Sequence, residues 1–269
     1  MTDADTARRP GRTRTGDTEP VRTLERGLTV LRMLGQHGAL TLGDAARHAG
    51  LNASTAYRLL HTLQAQGFAQ ESAGLWQVGV QAFATGQAYL GAGGLIPAAR
   101  PEMQALVAEL GETVNLAVLQ APDVVYVHQE EGRGLMRMFT QIGARVPLHC
   151  TGAGKALLAW QPTEEVRRAL GERSFQSFTP HTLTTPAAYL AELEGVRRAG
   201  YALDNEEREL GVRCVAVPVL DSGGQTVAAL SLSAPSSRLP DSRVPELAAR
   251  LQRASRSISK SGTTRDASL

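Results

Sequence analysis

The sequence predicts an α+β chain, in which a small helical unit closed by a hairpin precedes a larger unit of mixed strands and helices. Three observations carry this. Within residues 21–80, three helical segments end at glycines and lead into two short strand-like runs. Beyond Leu110 the apolar residues change from helical to strand spacing. Later, residues 214–220 and 226–233 flank Asp221-Ser222-Gly223-Gly224, the pattern of two strands around a turn.

Residues 1–20 are rich in Thr, Arg, Asp and Gly and poor in apolar groups, the composition of a disordered tail. Leu24, Leu28, Leu31 and Leu34 then recur every three or four residues, one face of a helix that Gly35 and Gly38 end. Thr41 can cap a second helix, Leu42–His48, with Asp44 in its first turn and Gly50 stopping it. Asn52 or Ser54 caps a third, running to Gln66 with Ala56, Leu59, Leu60 and Leu63 facing inward. Phe68-Ala69-Gln70 and Leu75-Trp76-Gln77-Val78, around Glu71-Ser72-Ala73-Gly74, form a small hairpin. Helices two and three are joined by a few residues around Gly50, so residues 21–80 have the pattern of a winged helix-turn-helix. A three-helix packing unit with no nucleic-acid role has the same outline.

Residues 81–96 form a linker helix, weakened by Gly86, Gly91, Gly93 and Gly94. Pro97 and Pro101 mark a fresh start, and a second domain covers residues 97–258. It reads as a helix over 102–110, strands over 114–118 and 124–127 split by Ala121-Pro122-Asp123, and a strand over 135–140. Helices over 154–160 and Pro186–Ala199 and the late hairpin follow. Residues 259–269 read as a second disordered tail.

Composition excludes several classes. With 42% hydrophobic and 20% charged residues, a chain of 269 residues can build a core without disulfide staples. Its two cysteines, Cys150 and Cys214, allow at most one bridge, which fits a reducing compartment. The sequence has no apolar run of about 18 residues and no apolar stretch near its start. The expectation is a cytoplasmic protein with no membrane partner. Net charge is only +2, but it is unevenly spread: +2 over 21–79, −4 over 80–246 and +4 over 247–269. The acidic middle repels DNA, so any DNA contact belongs to the first segment.

These residues resemble the IclR family of bacterial transcription regulators, over roughly Val21 to Arg256. In the first domain the likeness rests on Leu24-Glu25-Arg26-Gly27-Leu28, Leu42 to Ala49 and Ser54-Thr55-Ala56-Tyr57-Arg58-Leu59-Leu60. In the second it rests on residues 147–159, including Thr151-Gly152-Ala153-Gly154-Lys155. The stretches 200–207 and 211–221 add Gly200-Tyr201-Ala202-Leu203-Asp204 and Gly211-Val212-Arg213-Cys214. The chain departs from the family pattern at Ala53, Leu75 and Leu220. The resemblance implies a GAF-like α+β effector domain behind the winged helix, a small organic-acid effector, and dimers that associate into tetramers.

By position, Asn52, Ser54, Thr55 and Tyr57 are candidates to face a DNA groove, and Arg58 is a phosphate or guanine clamp. Arg22, Arg26 and Arg47 add phosphate contacts. One such helix buries too little surface for tight binding, so a homodimer on a palindromic double-stranded operator is expected, with recognition helices about 34 Å apart. The resemblance places the effector pocket at Gly152, Ala153, Asp204, Cys214, Ser231 and Ser233, with an apolar wall of Leu135, Met138, Val146 and Val212. Ser231 and Ser233 lie two apart on a strand and so face one way. Free backbone N–H groups at the turn before Lys155 can hold a carboxylate.

Gly152-Ala153-Gly154-Lys155 is not a phosphate-binding loop, because His149 stands where the first glycine belongs and Ala156 follows the lysine. His149, Cys150 and Cys214 lack metal-ligand spacing, and no cofactor is expected. A cysteine hydrolase using Cys150 or Cys214 with His149 and Asp204, and a protein-binding scaffold, are the alternatives to a regulator. Adjacent strand residues point oppositely, which argues against a His149–Cys150 dyad.

Overall fold

The computed structural model describes residues 21–91, 94–132, 141–171 and 175–263. The strand expected over 135–140, with Leu135 and Met138, and the tails 1–20 and 264–269 lie outside them. The chain divides into two compact units between Ala88 and Tyr89.

In the first unit, helix α1 (Arg22–His37) runs on through Gly35 and stops at Gly38, whose N–H donates to the Leu34 carbonyl. Strand β1 (Leu40–Thr41), not foreseen from the sequence, leads directly into α2 (Leu42–His48). The Thr41 hydroxyl oxygen accepts from the Asp44 N–H (3.1 Å) and donates to the Asp44 carboxylate (2.7 Å). Helix α3 (Ala53–Ala65) buries Ala56 and Leu60. It meets α1 at Gly27, where a Cβ would lie in ordinary contact, 3.8 Å from Leu59 Cδ2. The buried line of α1 is Gly27, Val30 and Leu34, so of the expected inward leucines Leu34 is buried, while Leu24 is 62% and Leu28 56% exposed.

Strands β2 (Ala69–Ser72) and β3 (Leu75–Val78) form the wing. Ala73 (φ 52°) and Gly74 (φ 77°) are both left-handed, matching the twist that a two-residue hairpin turn needs. Strand β1 pairs with β3 and closes a three-stranded antiparallel sheet over a core of Val30, Leu34, Leu40, Ala45, Leu60, Ala69 and Trp76. Helix α4 (Val80–Gly91) follows, and the division between the units falls within it.

In the second unit, α5 (Leu95–Leu110) begins well before the expected Glu102. Pro97 sits in its first turn, where a missing N–H costs nothing, and Pro101 is carried inside the helix. The chain then runs through β4 (Thr113–Gln120), β5 (Asp123–Glu130), β6 (Arg145–Pro147), a 3-10 turn Leu148–Cys150 and α6 (Gly152–Leu158). Next come α7 (Thr163–Leu170), α8 (Pro186–Ala199), β7 (Ala202–Asn205), β8 (Val212–Leu220), β9 (Thr226–Pro235) and α9 (Val244–Thr263).

The strands form one antiparallel sheet in the order β6-β5-β4-β9-β8-β7. The pleat sends alternate residues to opposite faces. Val114, Leu116, Val215, Val217, Leu230 and Leu232 pack with α5 and α9. Ala117, Tyr126, Ala202, Ala216 and Ala229 pack with α6, α7 and α8. This is an α+β layer structure with the sheet between two sets of helices.

Three expectations change here. Helix α6 spans 152–158 rather than 154–160, and its tight entry requires Gly154, since a Cβ there would overlap the Leu148 carbonyl. Helix α7 was not foreseen. Helix α9 continues through residues 259–263, where composition reads as disordered, because one side of it is pinned: Ile258 is buried, and the Leu220 N–H donates to Ser259 Oγ at 3.2 Å.

Candidate nucleic-acid interface and effector site

On α3, Ser54, Tyr57, Arg58 and His61 follow the i, i+3, i+4, i+7 spacing of one helix face, and all are exposed, opposite buried Ala56 and Leu60. The helix cap is Asn52, not Ser54. Asn52 Oδ1 accepts from the Thr55 N–H (2.8 Å) and from the Ser54 hydroxyl (2.9 Å). The cap thus fixes Asn52 and Ser54, two of the four expected groove-facing residues, against each other, while Thr55 is half-buried. Tyr57, 51% exposed, stands edge-on to His61 at 4.2 Å, and His61 stands edge-on to the buried Trp76 of the wing at 5.2 Å. An aromatic chain therefore ties the outer face of α3 to the hairpin. His61 was not singled out from the sequence, although its spacing from Tyr57 and Arg58 marks it.

The other expected basic residues are dispersed. Arg22 and Arg26 are exposed on α1. Arg47 donates to the Asp44 carboxylate at 2.7 Å. The Thr41 hydroxyl, helped by Arg47, holds the Asp44 carboxyl below the usual carboxylate range.

In the second unit the register assembles the expected effector residues. Thr113 pairs with Ser233, Ser233 with Cys214, and Cys214 with Asp204, so these four side chains cross β4, β9, β8 and β7 as one row. Alternation puts this row, with Ser231 and Val212, on the α6 face. Helix α6 seats its first turn here: a Cβ on Gly152 would lie 3.2 Å from the Cys214 carbonyl oxygen and 3.4 Å from the Asp204 nitrogen. Ala153 is buried beside it. The fold thus brings Gly152, Ala153, Asp204, Cys214, Ser231, Ser233 and Val212 together. Val146 shares the face through its pairing with Val124, but it lies on β6 at the far edge of the sheet.

Burial dominates the electrostatics of this site. Asp204 is pushed up to about 7, first by burial and then by the neighbouring Glu207 carboxylate, while its Oδ1 accepts from the Glu207 N–H at 2.8 Å. The Cys214 thiol is pushed up by burial and by Asp204, and lies 3.0 Å from Ser233 Oγ. Tyr126 lies on the same face, paired with Ala117, and its phenol is pushed up by burial and by Cys214 and Asp204. Tyr126 escaped the sequence reading because a tyrosine within Val124-Val125-Tyr126-Val127 reads as strand core.

Lys155 is 1% exposed and is a structural tie. Its ammonium donates to Glu207 Oε1 (2.6 Å), the Leu203 carbonyl (2.7 Å) and Glu192 Oε1 (3.1 Å), joining α6 to α8 and to the end of β7. Among the described residues no hydrogen bond joins His149 to Cys150 or Cys214, the pairs a hydrolase would need. His149 Nε2 donates to the Gln176 carbonyl (2.9 Å), and its ring packs beside Phe175. The Cys150 thiol is pushed up to about 12 by burial, the reverse of an activated nucleophile. A separate cavity of about 230 Å³, lined by Asp123, Pro147, Leu148, His149, Leu170 and Phe175 among others, includes none of the expected effector residues. Among the described residues, no helix is long and apolar enough to cross a membrane.

Comparison with known proteins adds the following. Residues 87–260 match the pattern described as bacterial transcriptional regulator IclR C-terminal, and residues 23–73 that of the IclR helix-turn-helix domain. Over 245 residues the chain is 38% identical to the HTH-type transcriptional regulator BhcR of Paracoccus denitrificans, covering 90% of this chain and 88% of that one. Over 256 residues it is 38% identical to the acetate operon repressor of Salmonella typhimurium, covering 93% of each. Among solved structures, an IclR homolog from Microbacterium hydrocarbonoxydans complexed with 4-hydroxybenzoate matches with a TM-score of 0.77 at 26% identity, over 89% of this chain and 98% of that one.

Proposed function

This chain belongs to the IclR family of bacterial transcriptional regulators, and on that premise we propose that it is an effector-responsive regulator: it grips a palindromic operator as a homodimer or homotetramer and changes that grip when a small organic acid enters its second unit. Ser54, Tyr57 and Arg58 face the major groove, Asn52 orders the start of their helix, and Arg22, Arg26 and Arg47 meet phosphates. Exposed Leu24 and Leu28 on α1, Val21 just before it, and Val80 and Phe83 on α4 support pairing of two such units, since a second copy would take these apolar side chains from water.

The observation that carries the sensing half is the row Thr113–Ser233–Cys214–Asp204, polar groups set on the sheet face that also carries Ala117, Ala202, Ala216 and Ala229. Buried polar groups need hydrogen-bond partners, and here Asp204 accepts from the Glu207 N–H while Cys214 and Ser233 meet each other. The acid's carboxylate meets the backbone of Gly152 and Ala153 and the two serines. Asp204, protonated below pH 7 or so, does not repel it. The relative that holds 4-hydroxybenzoate supports an acid as ligand. The acid acts by binding one arrangement of the oligomer better than another.

The test is fluorescence anisotropy of the full chain with DNA upstream of its own gene, against random DNA, at several salt concentrations. The expected result is a preference of about a thousandfold or more for one upstream segment, with a steep salt slope and a shift on adding an organic acid. Equal, weak binding to both DNAs overturns the operator reading.

A further inference from the structure

We infer that Asn115, held in orientation by Gln129, determines effector specificity: it reads a second hydrogen-bond acceptor on the ligand, so the effector is a bifunctional acid and not a plain monocarboxylate. This rests on the acid-sensing reading above and extends it to two residues outside the expected pocket. The register carries the extension. Ser231 pairs with Asn115, and Asn115 pairs with Gln129, so a second polar row runs from β9 across β4 to β5 on the α6 face. The next position along that face on β4 is Ala117, which packs in the apolar cluster. Asn115 is 1% exposed, and sheet packing alone would be served by an apolar or β-branched residue there.

The hydrogen bonds fix which way the Asn115 amide points. Gln129 Nε2 donates to Asn115 Oδ1 at 2.7 Å, so the carbonyl side of Asn115 is turned toward β5 and engaged. The amide N–H groups are thereby turned toward the serines. There Nδ2 makes one long hydrogen bond, 3.4 Å to Ser233 Oγ, and has donor capacity to spare. Ser233 Oγ lies 3.0 Å from Cys214 Sγ, which links this amide to the row that ends at Asp204. A buried donor beside the site of a carboxylate is matched by a ligand acceptor: a hydroxyl, carbonyl or second carboxylate oxygen. Gln129 is a positioning residue, since it sets the amide orientation without being the group that reads the ligand.

The test is isothermal titration of the full chain with matched acids: propionate against lactate, butyrate against succinate, benzoate against 4-hydroxybenzoate. The expected result is that in at least one pair the bifunctional acid binds at least about tenfold more tightly than its parent. Asn115→Leu weakens the bifunctional acid by more than its parent, so that ratio falls toward one. Gln129→Met lowers the ratio in the same direction, and a merely structural role would move both affinities together. Should Asn115→Leu not fold, Asn115→Ser and Gln129→Met carry the same test. Acids that bind with no discrimination in any pair, or a ratio that survives the variants, overturn this inference and leave the acid-sensing reading standing. No binding by any of the six acids overturns both.

Discussion

In the first unit the groups set out for a partner stand on the outer face of α3, with Tyr57 half exposed and Arg58 in solvent. In the second, Asn115, Ser231, Ser233 and Asp204 lie beneath α6, and none is more than 4% exposed. The difference separates binding from stability. A surface side chain can be exchanged with little effect on folding, because water already satisfies it. A polar side chain under a helix is part of the fold, and its protonation is set by its neighbours. If these are the contact residues, the first unit can change its DNA preference by surface substitution, whereas the second changes its ligand preference inside its own core.

The sharpest way to break this contrast is at Lys155. Lys155→Met leaves the Glu207 carboxylate buried without its cation, which costs about 3–5 kcal/mol. Calorimetry of the full chain is expected to show the second unit melting much earlier and the first unit unchanged; unaltered melting would mean that the three hydrogen bonds of Lys155 do not hold α6 down.

Next in size is the pH dependence of Asp204. Its carboxyl is raised from an ordinary 3.8 to about 7. Between those values the folded chain keeps a proton that the unfolded chain has lost. The contribution to stability is full below 3.8 and is lost as pH rises to about 7, at up to about 1.4 kcal/mol per pH unit. Asp204→Asn is expected to flatten this part of the denaturation profile between pH 5 and pH 7, and a profile identical to that of the unsubstituted chain would refute the assignment. The smallest effect is on the outer face. Arg58→Ala is expected to weaken operator binding by about 1–3 kcal/mol with no change in melting temperature; a lower melting temperature would place Arg58 in the fold and spoil the contrast.

The same difference decided what could be read from the sequence. Helix α2 and its Thr41 cap were legible because capping is local, as was α8 between Pro186 and Gly200. The leucine stripe of α1 held at Leu34 and misled at Leu24 and Leu28, because which side of that helix is buried depends on the elements packed against it, not on its own spacing. Helix α9 was missed because its polar side dominates its composition. In the effector site, Asp204, Cys214, Ser231 and Ser233 were named through a family likeness, and the sheet register then brought them together. Tyr126, Asn115 and Gln129 were not seen, since only the pairing of β4 with β5 and β9 sets them on the same face as the serines.

The burial of Lys155 also makes the second unit chemically countable. The chain contains two lysines, Lys155 and Lys260, and Lys260 is exposed on α9. An acetylating reagent marks Lys260 at once but reaches Lys155 only while α6 is lifted from the sheet. In a mass spectrum, the slow appearance of the Lys155 acetyl group is thus a clock for the lifting of α6, one that any molecule holding the helix down would slow, without any dye, DNA or substitution.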